Sequence, residues 1–377
     1  MNEQTANSWR HFDFWLLGAV AVLVVFGITM INSAVAGNIE LTTETNLVNR
    51  QLIFAGLGIV VVIVTASIDY HLWASISKSL YVITVIALAI LNVVAAAIFG
   101  SARWFNLLIV NIQPSEIAKI VIILVLADFF TRNQHRIGNV SWIIRSFIMT
   151  MGITIWIILQ PNLSTSIVMI VIWFALLWVS GLKTKHLLTF GGGGLLVIAI
   201  LLPILIETEV IKSYQMDRVT NFLFPDPDAR YGESYNIEQA LISIGSGGWF
   251  GQGYGHGTQV QLRFLKVRWS DFIFASTAAE FGFVGTVLVL LLLAFVIYRC
   301  LRAARLSRDT YGALIAYGVA TLIGFQAIVN VGVNLRMLPA TGLTLPFISY
   351  GGSSLVTALM GIGLVESVIL RHKSLEF

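Results

Sequence analysis

The chain has 377 residues, 57% of them hydrophobic, and a mean hydropathy of +0.85. Such a composition cannot cover a folded domain with polar groups, so a water-soluble protein is excluded and an all-α integral membrane protein is expected. A single cysteine, Cys300, excludes a disulfide framework, and the six histidines show neither HExxH nor Cys/His spacing, so neither structural zinc nor haem is expected. The formal charge of +4 matters less than its distribution across the bilayer.

Taken in windows of about 20 apolar residues, the predicted spans fall at about 13–34, 50–68, 78–99, 114–130, 143–160, 163–181, 186–206, 272–298, 311–335 and 350–370, about ten in all. The first is followed by SAVAG, an Ala-x-Ala pattern, but its apolar run is longer than a signal peptide's, so an uncleaved anchor is expected. With the N-terminus in the cytoplasm, about thirteen Lys and Arg residues share that side, among them Arg132, Arg136, Arg145, Lys183, Lys185, Arg299, Arg302 and Arg305. Arg50, Arg103 and Arg336 fall in short loops on the other side. This bias places both termini in the cytoplasm. No internal repeat stands out, which speaks against transporter folds built from two similar halves. The chain therefore reads as one polytopic membrane domain, 1–377.

Between the seventh and eighth spans lies a segment, about 207–271, too long and too patterned for a connector. Ile237, Ala240, Leu241 and Ile244 follow helical spacing, so about 236–245 is predicted as a short amphipathic helix lying in the interface and ended by Gly245. GSGGWFGQGYGHG follows. No strand precedes it and no P-loop Lys–Ser/Thr pair closes it, so no nucleotide is expected, although its backbone N–H groups have room to meet an anion.

Charges inside spans are costly and face the protein interior, where they pair or meet a substrate. In QPSEIAK, Pro114 suits a helix start, and Glu116 and Lys119, three apart, share one face and form a predicted ion pair. It either fixes helix packing or lines a polar cavity. Near the eighth span, Asp271 and Glu280 are nine apart, so they project in different directions and form no close carboxylate pair. Retaining glycosidases need two close carboxylates, whereas an inverting transfer to a sugar hydroxyl works with one base if cations stabilise the leaving group. Asp271 fits that role. Ser270 and Asp271 are also good helix caps, and spacing alone favours capping for Asp271. Its ionisation is open, because burial raises a carboxyl pKa while Arg268 and a helix dipole lower it.

The stretch YQMDRVTNFLFPDPDARYGESYNIEQALISIGSGGWFGQGYGHGTQVQLRFL with the following SDFIFA, together with QPSEIAK and GLTLPFISYGGSS at 342–354, resembles the SEDS family (shape, elongation, division and sporulation) over nearly the whole chain. The loop between GTQ and SDF is more similar to the RodA branch than to the FtsW branch that serves division. The resemblance implies a peptidoglycan glycosyltransferase that polymerises lipid II beside a class B penicillin-binding protein, multi-pass in the bacterial cytoplasmic membrane among its lipids, with no nucleic-acid partner. It also implies that Asp271 is catalytic, that Arg50, Arg103, Glu116, Lys119 and Arg218 line the substrate cavity, and that Asn162, Glu280 and Arg336 support it.

Two departures limit the transfer. QPNLST at 160–165 has Asn162 where the family commonly has Asp, and FLKVRWSDF lacks the Glu and His of the RodA-like FLPERHTDF. Trp269 is left either to stack on a sugar or to anchor the loop at the interface. In the implied reaction Asp271 takes the proton of the acceptor's 4-hydroxyl, the oxygen attacks C1 of the donor, and undecaprenyl pyrophosphate leaves, its charge met by Arg and Lys and by a divalent cation, Mg or Mn. A lipid flippase and a non-catalytic scaffold are the rival readings.

Overall fold

The computed structural model describes residues 12–36, 47–98, 104–107, 110–136, 139–182, 213–224 and 232–372. Its helices in chain order are α1 (Phe14–Val35), α2 (Leu47–Ser67), α3 (Tyr70–Ile98), α4 (Pro114–Arg132), α5 (Val140–Leu159), α6 (Leu163–Val179), α7 (Ser213–Leu223), α8 (Glu233–Gly247), α9 (Thr258–Gln261), α10 (Ile273–Leu306), α11 (Thr310–Asn334) and α12 (Gly352–Leu370). An antiparallel hairpin, β1 (Phe105–Leu107) and β2 (Val110–Ile112), precedes α4 and was not foreseen.

Among the described residues seven helices, α1, α2, α3, α5, α10, α11 and α12, are long and apolar enough to cross a membrane. Two further predicted spans form helices of another character. The α6 helix has 17 residues, short for a span, and α4 carries Glu116, Lys119, Asp128 and Arg132. Burial explains how α4 tolerates these charges: 15 of its 19 residues are buried, and α3, α5, α6, α11 and α12 all pack on it. With α12, 16 of whose 19 residues are buried, it is one of the two most enclosed helices of the bundle. The predicted span at 186–206 lies outside the described residues.

A polar tie that sequence reasoning missed joins three helices at one end of the bundle. Arg299 of α10 donates through Nε to Asp13 at 2.7 Å, and the Asp13 amide donates to Glu366 of α12 at 3.1 Å. Asp13 also caps α1 by accepting from the Leu16 amide. Buried charges of this kind persist only when paired or hydrogen-bonded.

The segment before α10 departs from expectation in three ways. First, α8 runs from Glu233 to Gly247, past Gly245, and ends at Gly248 with φ 55°. Second, its apolar face, with Ile237 and Ala240 buried, packs on α10, so the helix rests on protein. Third, the glycine-rich loop after it is spliced into α10. At Gly282 (φ 65°, ψ −162°) the α10 ladder breaks. The amides of Phe283 and Val284 donate to the carbonyls of Gly248 and Trp249, while the carbonyls of Ala279 and Glu280 accept from the amides of Gln252 and Gly253. An uninterrupted helix would have paired 283 with 279 and 284 with 280. Gly251 donates to Gly247 and His256 to Gly253, so these amides are engaged within the fold instead of forming an anion nest.

The splice demands glycine at Gly251, which has φ 81° and whose added Cβ would strike the Glu280 carbonyl. Gly251→Ala is expected to destabilise the purified protein by at least the roughly 1–2 kcal/mol of a left-handed alanine, read as a lower melting temperature. Gly245→Ala is the control, since a Cβ there meets nothing within 4 Å. Equal melting temperatures for the two variants would show that the splice contributes little to stability.

Candidate active site

The site is organised by the segment from Thr341 to Ser354, which bears the GLTLPFISYGGSS motif. This segment runs beside Asp271, meets Arg50 through the Tyr350 side chain, and bonds to chain neighbours of Asp271, Arg50 and Asn162. The Ser164 hydroxyl, two residues after Asn162, donates to the Thr341 carbonyl. A Cβ built on Gly342 would lie 3.8 Å from Asp271 Oδ2, so the loop runs beside that carboxylate. The Ser349 hydroxyl donates to the Ser270 carbonyl at 2.8 Å, and the Tyr350 amide donates to the Trp269 carbonyl at 2.8 Å. Arg50 hydrogen-bonds the Tyr350 side chain, and its neighbour Gln51 accepts from the Gly351 amide and donates to the Ser349 carbonyl. Ser353 donates to the Asn111 carbonyl of β2 and accepts from the Gln113 amide at the head of α4.

Asp271 does not cap α10. The helix starts at Ile273 with Phe272 in the cap position and no side-chain capping bond there. Ser270 instead donates to Asp271 Oδ1 at 3.0 Å. The capping work is done from another helix: Asn334 of α11 accepts the Ala275 amide at 3.1 Å. Spacing could not reveal this, because the capping residue is far away in sequence. The half-buried Asp271 carboxyl is therefore not spent on helix structure. Burial pushes its pKa up, opposed by the Ser270 hydroxyl and by the charge of Arg218 on α7.

Arg268, the cation adjacent in sequence, turns away. Its Nε donates to the Ala34 carbonyl at the end of α1 at 2.6 Å, and burial lowers its pKa. Trp269 packs against the hydrophobic core, with the Arg268 guanidinium 5.5 Å from its ring centroid, so it is a packing residue in this structure. Backbone strain concentrates here too. Val267 (φ 52°), a β-branched residue, and Phe347 (φ 67°) both occupy the left-handed region, each at a cost of about 1–3 kcal/mol, on the two segments that meet at Asp271.

The remaining candidates divide. Glu116 and Lys119 form the predicted ion pair, Nζ to Oε2 2.7 Å, both buried. Asn162 caps α6 by accepting from the Thr165 amide. Glu280 is not beside Asp271: it is buried under the glycine-rich loop, accepting from Ser33 of α1 and from the Gly255 amide. Arg336 is exposed, two residues beyond α11, with φ 55°. Arg103 lies outside the described residues. Among the described residues no group of three His, Cys, Asp or Glu could hold a metal ion. Among the described residues Asp271 belongs to no such group, and the charge of Arg218 acts on it.

The family model for the FtsW, RodA and SpoVE cell cycle proteins matches residues 14–374. The chain belongs to this family. It is 34% identical over 376 residues to a probable peptidoglycan glycosyltransferase FtsW of Hydrogenovibrio crunogenus, covering 98% of this chain and 94% of that protein. It is also 34% identical over 375 residues to the peptidoglycan glycosyltransferase MrdB of Escherichia coli, covering 100% and 98%. Equal identity to both leaves the branch unresolved. Among solved structures, RodA of Thermus thermophilus superposes with a TM-score of 0.69 at 30% identity, over 95% of this chain and 96% of that one. A chain from a peptidoglycan synthase complex that coordinates polymerization and crosslinking gives a TM-score of 0.78 at 30% identity, over 96% and 98%. Family membership and the apolar helices make this a multi-pass protein of the bacterial inner membrane.

Proposed function

We propose that this FtsW/RodA/SpoVE family member is an inverting peptidoglycan glycosyltransferase that polymerises lipid II at the outer face of the membrane, with the 207–271 segment as its catalytic segment. The observation that carries the reading is Asp271, a half-buried carboxylate released from capping by Asn334 and flanked by the 341–354 loop. The Asp271 carboxylate takes the proton from the 4-hydroxyl of the acceptor N-acetylglucosamine. The oxygen's electron pair forms the bond to C1 of the donor from the face opposite the leaving group. The C1–O bond to undecaprenyl pyrophosphate breaks, the leaving group keeps that electron pair, and the proton passes from Asp271 to water. Arg218, whose charge acts on Asp271, and Arg50, which bonds Tyr350, are the cations proposed to meet the pyrophosphate.

A class B penicillin-binding protein is the proposed partner, and the similarity of the 260–269 loop to the RodA branch supports a role for the pair in elongation. The assignment is tested by replacing the host's own elongation or division polymerase with this chain: rescue of division alone reverses it. Polymerisation itself is tested with the purified protein and partner in liposomes carrying lipid II. Glycan strands are the expected product, whereas lipid II transfer between leaflets without polymer favours a flippase.

Both termini are assigned to the cytoplasm from the distribution of Lys and Arg. Cys300 is buried and therefore silent to thiol reagents from either side. Exposed reporters are needed, so in a Cys300→Ala background Lys266→Cys is expected to react with an impermeant maleimide on intact cells and Arg308→Cys only after lysis. The reverse pattern inverts the topology and removes Asp271 from the outer face.

A further inference from the structure

Two asparagines on α11 converge on one backbone carbonyl. Asn330 and Asn334 are one turn apart and both fully buried. Asn330 Nδ2 donates to the Asp271 carbonyl at 3.1 Å and to the Leu343 carbonyl at 2.8 Å. Asn334 Nδ2 donates to the Asp271 carbonyl at 3.0 Å and to the Asn330 carbonyl at 2.8 Å, while its Oδ1 accepts the Ala275 amide. Each NH₂ group thus uses both hydrogens, and the Asp271 carbonyl uses both lone pairs. Burying side-chain amides in a span is unfavourable unless they are satisfied in this way. What they satisfy is specific: the backbone of Asp271, the start of the helix that follows it, and the loop that runs beside its carboxylate.

We infer that Asn330 and Asn334 are positioning residues that act through Asp271, fixing its main chain against the Leu343 loop so that the carboxylate meets the acceptor hydroxyl in one register. This rests on the assignment of Asp271 as the general base. A side chain has few ways to misplace its carboxylate once the residue's own carbonyl and the next turn of helix are both held. Without the pair, the Asp271 carbonyl loses both donors and the Ala275 amide its acceptor, and the strained Val267 backbone upstream gives the segment a reason to relax. The groups facing the carboxylate are the Ser270 hydroxyl, the Arg218 charge and Gly342, while α11 presents only the two neutral amides.

The test uses Asn330→Thr and Asn334→Thr in the full-length protein with its partner. A threonine hydroxyl donates back to the carbonyl four residues earlier and leaves no unsatisfied group of its own, so these variants are suited to fold. Glycan synthesis from lipid II is measured against substrate concentration and pH, with melting temperature on the same samples. The expected result is a kcat lowered about ten- to a hundredfold with KM for lipid II unchanged, the size of loss that misplacing a reacting group produces. The acid limb of kcat is expected to move to lower pH as the carboxylate gains water. A purely structural role would lower the melting temperature and leave that limb in place. Wild-type kcat and an unmoved acid limb overturn the inference, and so does failure of both variants to fold, which would make the pair a folding requirement. Asp271→Asn is assayed in parallel: if it is active, the general-base assignment itself fails, whereas an inactive Asp271→Asn beside fully active threonine variants defeats only the positioning role.

Discussion

Asp271→Asn is expected to lower glycan polymerisation by roughly 10²- to 10⁴-fold, the usual worth of a positioned general base, while leaving the protein folded and bound to its partner. The structure sharpens the stability half of this expectation. The Asp271 side chain makes no capping bond that asparagine would have to reproduce, and the Ser270 hydroxyl has an acceptor in either side chain. Its pKa in the fold lies above the ordinary 3.8, chiefly through burial. A raised carboxyl pKa means that the neutral form suits the fold, so the stability it contributes is present below pH 3.8 and lost as pH rises through the folded value. At neutral pH the ionised carboxylate is therefore a net cost that asparagine removes. The variant should melt at or above the wild-type temperature near pH 7, and the difference should vanish in acid. Activity follows the same proton: the acid limb of wild-type kcat should lie above the ordinary 3.8. Normal polymer from a normally stable Asp271→Asn protein would remove this residue from the mechanism, and with it the reason to place chemistry at the head of α10.

The spans were legible because about 20 apolar residues in a row admit few other readings; α1, α2, α11 and α12 begin and end within three residues of their predicted bounds. What sequence could not supply was long-range pairing. Asp271 read as a cap because capping is judged from neighbours, and Asn334, which does the capping, sits 63 positions along the chain from Asp271. Arg268 read as the cation beside Asp271 for the same reason, yet its partner is the Ala34 carbonyl, and the charge that reaches Asp271 comes from Arg218 on a different helix. The glycine-rich run reads as a loop with backbone N–H groups open to an anion, but nothing local shows that its carbonyls and amides replace those missing from a broken α10. Asn330 sits in FQAIVNVG, where polar residues inside a span, here Gln326 and Asn330, signal a buried role without naming a partner. By contrast, Glu116 and Lys119 are local partners, three apart on one helix, and their pairing could be read directly.

That pair sets the second large effect. Lys119 is 1% exposed and Glu116 7%, on a helix enclosed by protein, so water has little access to either charge. Lys119→Met leaves the Glu116 carboxylate buried without the ammonium that neutralised it, and breaking such a pair from one side costs about 3–5 kcal/mol. This is a large part of the roughly 5–15 kcal/mol that holds a typical domain together, so folded yield and melting temperature should drop sharply. Glu116→Gln combined with Lys119→Met removes both charges at nearly constant volume and is expected to recover folded protein. Polymerisation by that double variant then separates packing from function. The head of α4 is tied through the Gln113 amide to Ser353, at the end of the segment that also flanks Asp271, which is why a substrate role is expected in addition to packing. A folded double variant that makes no glycan places the charges on the substrate path. A double variant as active as wild type confines them to packing and removes both from the site, leaving Arg50 and Arg218 as the described cations available to the leaving group.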